Sequence, residues 1–516
     1  MDVEQFRDDV RGGRVGADRL VDLVVMLNER LQQANGRLQQ ANGRLQQANE
    51  RIAELERKLA GRAGEKIAEP FSLAAEEKRQ QARGRRRRQR NRPLRRGRIS
   101  TADKLALAVR TEQVFPENVD PSDCKLSHAR CVWRLENGQA ALVAYEVYRG
   151  PRNQYGKIPG VIGRGEFGLE IVLAIAYQVY VVGLSFDKVC LLLNFFQGLR
   201  LGKSQVDALL HRLARHWEGE FDVLCALLAN SAVVHADETS WSIHSVWALL
   251  SEKVRVLLFG VHKDAATLQA LLDPATFAGV VVSDDAAVYA NFTHSQKCWA
   301  HLLRKAIKLT LLEPTNAEYR DFTDRLLEIY RAACRVQADG RLSDAGRARK
   351  VTALDDEIFD LCGATWLAEL PKSEGPADDY RLLCNELVRL MIARQLFTFV
   401  TAAPVTTPSG ETTPVAGTNN EAERTLRGPA LARKTGRTNK TSRGARRQTI
   451  VVSVLESLRQ HLSQFTLSSV IREVLAWSDA GQSCFARLLA QLRLTTPAKS
   501  TPAPSILDRL LPVPSG

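Results

Sequence analysis

Three acidic residues far apart in the chain could serve one chemistry. Asp237 ends the apolar run Ala232-Val233-Val234-His235-Ala236, and Asp284 ends Gly279-Val280-Val281-Val282-Ser283. Glu423 follows Asn419 and Asn420 at the start of a helical segment. Two acids at strand ends and a third on a helix are what a two-metal phosphoryl-transfer site needs. Its Mg²⁺ ions, about 3.5–4 Å apart, require several hard oxygen ligands from separate elements. Mn²⁺ is expected to substitute. Each acid also has a plainer reading. Asp237 could be a turn or cap residue beside Glu238 and Thr239, and Asp284 could be exposed beside Asp285. Asn420-Glu421-Ala422-Glu423 matches a capping box, in which the last acid bonds back to the cap. Spacing alone leaves these readings open.

The elements that must position these acids are legible as an α/β pattern. Residues 232–237, 246–250, 254–259 and 279–284 read as strands, with a helix over 265–272 before the last. Three strands, a helix and a further strand open a ribonuclease H-like fold. A mostly helical stretch follows, from Lys297 to about Phe399, then a loop over 401–418 rich in Pro, Thr and Gly. Ahead of the strands, residues 101–230 read as mostly helical, with a strand over 141–148. Ser185 can cap a helix to about Phe196 that ends at Gly198, and Ser204 can cap a second to Trp217. This is a helix-turn-helix pattern, whose polar face offers Lys203, Gln205, His211, Arg212 and Arg215 to DNA.

The N-terminal part reads differently. Leu20, Leu27, Ala34, Ala41, Ala48 and Leu55 alternate at heptad spacing with Val24, Leu31, Leu38, Leu45, Ile52 and Leu59. Such a and d positions predict a coiled coil. Gly36 and Gly43 each cost about 1 kcal/mol of helix propensity, so a partner strand is expected and with it a homo-oligomer. A tract from Arg83 to Arg98 follows, containing Arg86, Arg87 and Arg88 and no acid. Like charges at that density do not fold alone, but they suit a phosphate backbone.

Composition bounds the remainder. The 516 residues are 45% hydrophobic, enough for several cores, and 72 Lys and Arg against 58 Asp and Glu leave a net charge of +14. The excess is concentrated in the Arg tract and in the run after Glu423, which carries Arg424, Arg427, Arg433 and Lys434. Nine scattered cysteines fit a reducing compartment rather than a disulfide framework. The longest apolar run, about Ile171 to Leu184, is too short for a bilayer span, and the N-terminus has no signal-peptide pattern. A cytoplasmic, nucleoid-associated protein of a prokaryote is expected.

Four segments carry a family resemblance. His235-Ala236-Asp237-Glu238-Thr239-Ser240-Trp241 resembles the first-acid motif of insertion sequence 66 family transposases. Asp284, with Tyr289 five residues on, resembles the second. Cys298-Trp299-Ala300-His301 resembles the Cys-Trp-Ala-His signature, and Asn419-Asn420-Glu421-Ala422-Glu423-Arg424 the third-acid motif. The resemblance covers roughly Val161 to His461 in the family order, and the heptad leader is similar too. It implies a ribonuclease H-like catalytic domain with a large helical insertion, in which Asp237, Asp284 and Glu423 bind two Mg²⁺ ions. It also implies cleavage at element ends and strand transfer into target DNA. His301, Asn419 and Asn420 would support the site, while Lys203, Arg212, Arg304, Lys305 and the basic residues after Glu423 would contact DNA.

The expected boundaries are a coiled coil over 1–61, a basic linker over 62–100 and a helical DNA-binding region over 101–230. A first catalytic part over 231–300 and a helical insertion with loop over 301–418 come next. A second catalytic part over 419–465 precedes a C-terminal helix and Pro-rich tail over 466–516. The family's usual paired Cys-x-x-Cys zinc elements are missing. Only Cys124, His128 and Cys131 stand in their place, and zinc is not an expected cofactor. Cys298 and His301 could hint at metal, but with no second pair nearby they read as a buried thiol and a hydrogen-bonded helix histidine. Two other readings remain: a non-catalytic DNA-binding protein of transposase origin, and a ribonuclease H-like nuclease. Double-stranded DNA is the expected partner, no membrane is, and helper proteins are left open.

Overall fold

In the computed structural model, residues 100–367, 375–408, 410–494 and 506–511 are described, together with the single residue Gln32. The expected coiled coil and the Arg tract with Arg86, Arg87 and Arg88 lie outside the described residues. No described helix is long and apolar enough to cross a membrane.

The described chain begins with α1 (Thr101–Ala106) and a three-stranded sheet of β1 (Arg110–Val114), β2 (Lys125–Glu136) and β3 (Gln139–Arg149), in the order β1-β3-β2. The strand expected over 141–148 is β3, whereas β1 and β2 correct the helical reading of the residues before it. The β2–β3 hairpin turns at Asn137 and Gly138, both at positive φ, as a tight two-residue connection requires. Cys131 is buried in β2, Cys124 precedes that strand and His128 is exposed. Among the described residues they do not gather into a metal-ligating group.

Four helices follow: α2 (Leu169–Tyr180), α3 (Phe186–Gln197), α4 (Lys203–His216) and α5 (Glu218–Ala229). Ser185 caps α3 through its bond from the Lys188 amide, and Gly198 ends it at φ 68°. The helix α4 starts two residues earlier than a cap at Ser204 implied. Its N-cap is Gly202, whose N–H is taken by the Gln205 side chain at 2.9 Å.

The central sheet has five strands in the order β6-β5-β4-β7-β8. They are β4 (Val233–Ser240), β5 (Ser245–Ser251), β6 (Arg255–Val261), β7 (Val280–Ser283) and β8 (Ser295–Lys297), with α6 (Ala265–Gln269) between β6 and β7. The β4, β5 and β6 strands pair antiparallel, whereas β4–β7 and β7–β8 are parallel. Strand alternation divides the sheet between two cores. Val234, Ala236 and Val281 point into the main core with α2, α4 and α5, while Val233, Val280 and Val282 point into a second.

That second core belongs to the helical insertion: α7 (Trp299–Leu312), α8 (Ala317–Ala338), α9 (Asp344–Cys362), α10 (Pro376–Ile392) and α11 (Thr398–Thr401). The loop expected over 401–418 contains a short hairpin, Val405–Thr406 with Thr412–Thr413. The chain then returns to the sheet as α12 (Asn420–Lys434) and α13 (Ser442–His461). Hydroxyls on one face of α13 hold the outer edge of β6. Thr449, Ser453 and Ser457 accept the amides of Phe259, Leu257 and Arg255 at 2.9, 2.9 and 3.0 Å. An edge strand covered this way offers no free ladder to another chain.

Two further helices, α14 (Leu467–Ala480) and α15 (Cys484–Gln491), pack beside the main core. In the described part of the tail, α16 (Ile506–Leu510) buries Leu507, and Leu511 follows it into the main core.

Candidate active site

The pairing of β4 with β7 decides where two of the acids lie. Its register runs Val233↔Val280, Val234↔Val281, His235↔Val282. The pairing stops there and β7 ends at Ser283, so Asp284 stands just past the end of β7, beside the stretch of β4 that carries Asp237. Asp237 shares the parity of Val233, which faces the helical insertion, and Asp284 lines a cavity against α7 and α10. Glu238 points the other way. It is buried, pairs with Lys263 Nζ at 2.7 Å and accepts the Tyr289 hydroxyl.

The third acid reaches them through α12. Asn419, fully buried at its N-cap, donates from Nδ2 to the Ala236 carbonyl at 2.8 Å. The N-terminus of α12 is thereby tied to β4 beside Asp237. Glu423 lies one turn on. It makes no capping-box bond; its carboxylate is held by Arg304 at 2.9 and 2.7 Å, with His301 Nδ1 at 3.6 Å. Glu421 turns aside to Arg255 at 2.5 Å.

Cys298 joins three segments at this point. Its N–H donates to the Ser283 carbonyl at 2.9 Å, fixing the start of α7 to the end of β7. Its Sγ accepts the Asn419 amide at 3.1 Å. Trp299 fastens the same corner, from its amide to the Gly417 carbonyl at 3.0 Å and from its indole to the Leu396 carbonyl at 2.7 Å. All four motifs thus converge at one end of the sheet.

Electrostatics report the same proximity. Asp237 is pushed up to about 7, chiefly by burial and then by the charges of Glu238, Asp284 and Glu423. A neighbouring backbone N–H opposes this rise only in part. Burial pushes the Cys298 thiol up, partly offset by backbone N–H groups aimed at the sulfur. Lys297 is buried, donates to the Asp284 carbonyl at 3.1 Å, and is pulled down from the usual lysine range by desolvation. Beside the acids lies a cavity of about 550 Å³ lined by Asp284, Lys297, Cys298, His301, Lys305 and Arg389, among others.

The basic residues divide into two groups. Arg304 is engaged with Glu423, Lys305 with Glu386, Lys203 with Asp187, and Arg433 with the Ser240 carbonyl at 2.7 Å. Arg446 and Arg447, also in the basic run, are largely structural. Arg446 pairs with Asp508 and Glu218, while Arg447 is buried against Asp207 and the Tyr180 hydroxyl. By contrast, no hydrogen bond or ion pair among the described residues involves Arg424, Arg427, Lys434 or Arg212. Arg424 lines a second cleft of about 1120 Å³, together with Arg437, Lys440 and Arg443. Asn420 is the first residue of α12 and is exposed. Lys297 and Lys263 were missed by sequence reasoning. The only signal was a basic residue just before the Cys-Trp-Ala-His segment and another just after β6.

The sequence model of the Transposase IS66 family matches residues 164–447, more than half of the chain. The chain belongs to the Transposase IS66 family. The matched span runs from just before α2 through the sheet, the insertion and α12 into α13, and contains all three acids. It leaves out the three-stranded sheet at 110–149. No curated protein matches the chain.

Proposed function

We propose that this member of the Transposase IS66 family cuts DNA at element ends and joins the new 3′ end to target DNA. Asp237, Asp284 and Glu423 are its metal ligands. The observation that carries the reading is that three acids from separate elements meet at one end of the sheet: Asp237 in β4, Asp284 just past β7, and Glu423 on the helix that Asn419 ties to β4. Anions buried this close repel one another unless protons or cations neutralise them. A divalent pair fits the donor set, since all three residues supply hard oxygen. When bound there, Mg²⁺ supplies activation of the attacking hydroxyl and stabilisation of the leaving oxygen.

The protein's own residues do the positioning. Asp237 stands within β4 and Asp284 just past the end of the adjacent β7, so the β4–β7 pairing sets where the two acids lie. The Asn419–Ala236 bond brings Glu423 to them. Arg424 and Arg427, one and four residues beyond Glu423, suit the phosphates that flank a scissile bond. The strand order, with its antiparallel and parallel halves, supports a ribonuclease H-like architecture. The heptad segment supports pairing of protomers for synapsis of two ends. The α3–α4 hairpin supports sequence reading.

The test is Mg²⁺-dependent nicking and joining on DNA carrying the element ends. Asp237→Ala, Asp284→Ala and Glu423→Gln are each expected to abolish both steps while DNA binding persists. Full activity in any of the three would overturn the ligand assignment. Wild-type binding without any cleavage would favour a non-catalytic DNA-binding protein.

A further inference from the structure

Cys298 and His301 share the first turn of α7, and a Cys-x-x-His pair by itself lacks enough ligands for a metal. The fold adds a third. One donor atom each from Cys298, His301 and Glu423 lie within 4.8 Å of one another. We propose that these residues form a binding site for a thiophilic divalent transition metal, with Zn²⁺ as its representative ligand.

Four observations carry this. The donors are one thiol, one imidazole and one carboxylate, a soft set that suits Zn²⁺ and not Mg²⁺. His301 Nδ1 is buried and makes no hydrogen bond, and its nearest anionic neighbour is Glu423 at 3.6 Å. Cys298 Sγ already accepts the Asn419 amide at 3.1 Å, as the outer partner of a metal thiolate would require. Finally, Cys298 and His301 line the cavity beside Asp284, so an ion has an entry path. Three protein ligands leave a fourth position open, the pattern of exchangeable rather than structural zinc.

Binding would replace the thiol proton, which leaves to solvent, so that Cys298–SH and M²⁺ give a Cys298–S–M⁺ unit and H⁺. Arg304, whose side chain is 52% exposed, would release Glu423. The other cations near the site are already engaged: Lys305 with Glu386, and Lys297 with Ser283 and the Asp284 carbonyl. A Zn²⁺ ion there would draw Glu423 away from Asp237 and Asp284. The consequence, which alone rests on the transposase reading, is that zinc antagonises Mg²⁺-dependent cleavage.

The decisive experiment is a CoCl₂ titration of the metal-free full-length protein, without DNA, followed by displacement with ZnCl₂. Wild type should show a thiolate-to-cobalt charge-transfer band that ZnCl₂ abolishes. Cys298→Ser should lose the band. His301→Ala, at a half-buried position, should weaken Co²⁺ binding by at least about tenfold. Cys190→Ser, a control on α3, should keep the band. No band in wild type, or a band that survives Cys298→Ser, would overturn the site. In a second arm, ZnCl₂ should slow wild-type nicking in excess MgCl₂ by about tenfold or more, each variant being compared with its own zinc-free rate. Absence of nicking altogether would sink the transposase reading, yet the cobalt titration would still decide the metal site.

Discussion

Arg304 donates to both carboxylate oxygens of Glu423, at 2.9 and 2.7 Å, from the α7 turn that follows His301. The guanidinium occupies the side of the acid where a cation would bind. Arg304, expected to contact DNA, pairs with the third acid. The pair is half-exposed, so its worth is on the order of 0.5–1 kcal/mol. Arg304→Ala should therefore tighten Mn²⁺ binding in the absence of DNA by about two- to fivefold, read by isothermal titration. Unchanged or weaker Mn²⁺ binding would show that Arg304 does not compete for Glu423.

Asp237 gives a pH prediction with a definite sign. Its proton affinity is raised in the fold, from an ordinary value near 3.8 to about 7. Folding therefore favours the protonated form, and ionisation destabilises the native state. The penalty is absent below the unfolded value, grows between about 4 and 7, and is complete above 7. Asp237→Asn should melt higher than wild type at pH 8 in a chelator, by on the order of 2 kcal/mol after allowance for solvent access. The gap should close toward pH 4. Saturating Mg²⁺ should narrow it at pH 8 by stabilising wild type alone. An Asn variant that melts lower at pH 8 would contradict this account.

How much of this was legible in the sequence depends on the range of the interaction. The β4 and β7 runs were readable as short apolar segments leading to an acid. However, β4 continues past Asp237 through Glu238, Thr239 and Ser240, which pair with β5, while β7 stops at Ser283 before its acid. That Asp237 and Asp284 would lie beside one another was not readable, since it depends on a parallel pairing across a long connection. The Arg304–Glu423 pair was hidden for the same reason, and it displaced the capping-box alternative that local spacing had favoured. Of the sheet over 110–149, β3 was read as the strand over 141–148, but β1 and β2 were missed because they mix exposed polar residues with the buried face, as in Lys125-Leu126-Ser127-His128. Gly202 overrode Ser204 as a cap because Gln205 could reach back to its amide. Charge runs misled in one respect: Arg446 and Arg447 belong to the basic stretch, yet they hold α13 to neighbouring elements rather than facing a partner.

That division predicts opposite phenotypes from neighbouring arginines. Arg447 is buried and bonded to Asp207 and Tyr180, so Arg447→Ala leaves a carboxylate without its partner. Asp207 is 47% exposed and can be solvated, so the loss comes mainly from the buried arginine's packing and its bond to the Tyr180 hydroxyl. Stability should fall by about 1–2 kcal/mol, seen as a shift in the urea midpoint. Arg424→Ala with Arg427→Ala should leave the midpoint within about 0.5 kcal/mol of wild type. The double variant should instead bind DNA more weakly, with a salt-dependence slope reduced by up to about two. Equal effects of both changes on stability would show that the basic stretch is not divided as described.

The last prediction concerns the face of β4 turned away from Asp237. Glu238 is buried there, bonded to the Tyr289 hydroxyl and to Lys263 Nζ at 2.7 Å. Tyr289 ends the short turn that begins at Asp284, so this bond ties the Asp284 loop to the strand carrying Asp237. Tyr289→Phe keeps the ring in its packing against Trp247 but removes a hydrogen bond to a charged, buried group. A loss of roughly 1.5–3 kcal/mol in stability is expected. Because the loop would then hold Asp284 less firmly, Mn²⁺ affinity should fall while DNA affinity stays unchanged. If Tyr289→Phe altered stability but left metal affinity at the wild-type value, the bond would be structural only, and the spacing of the two strand acids would have to be set by the β4–β7 ladder without help from the loop.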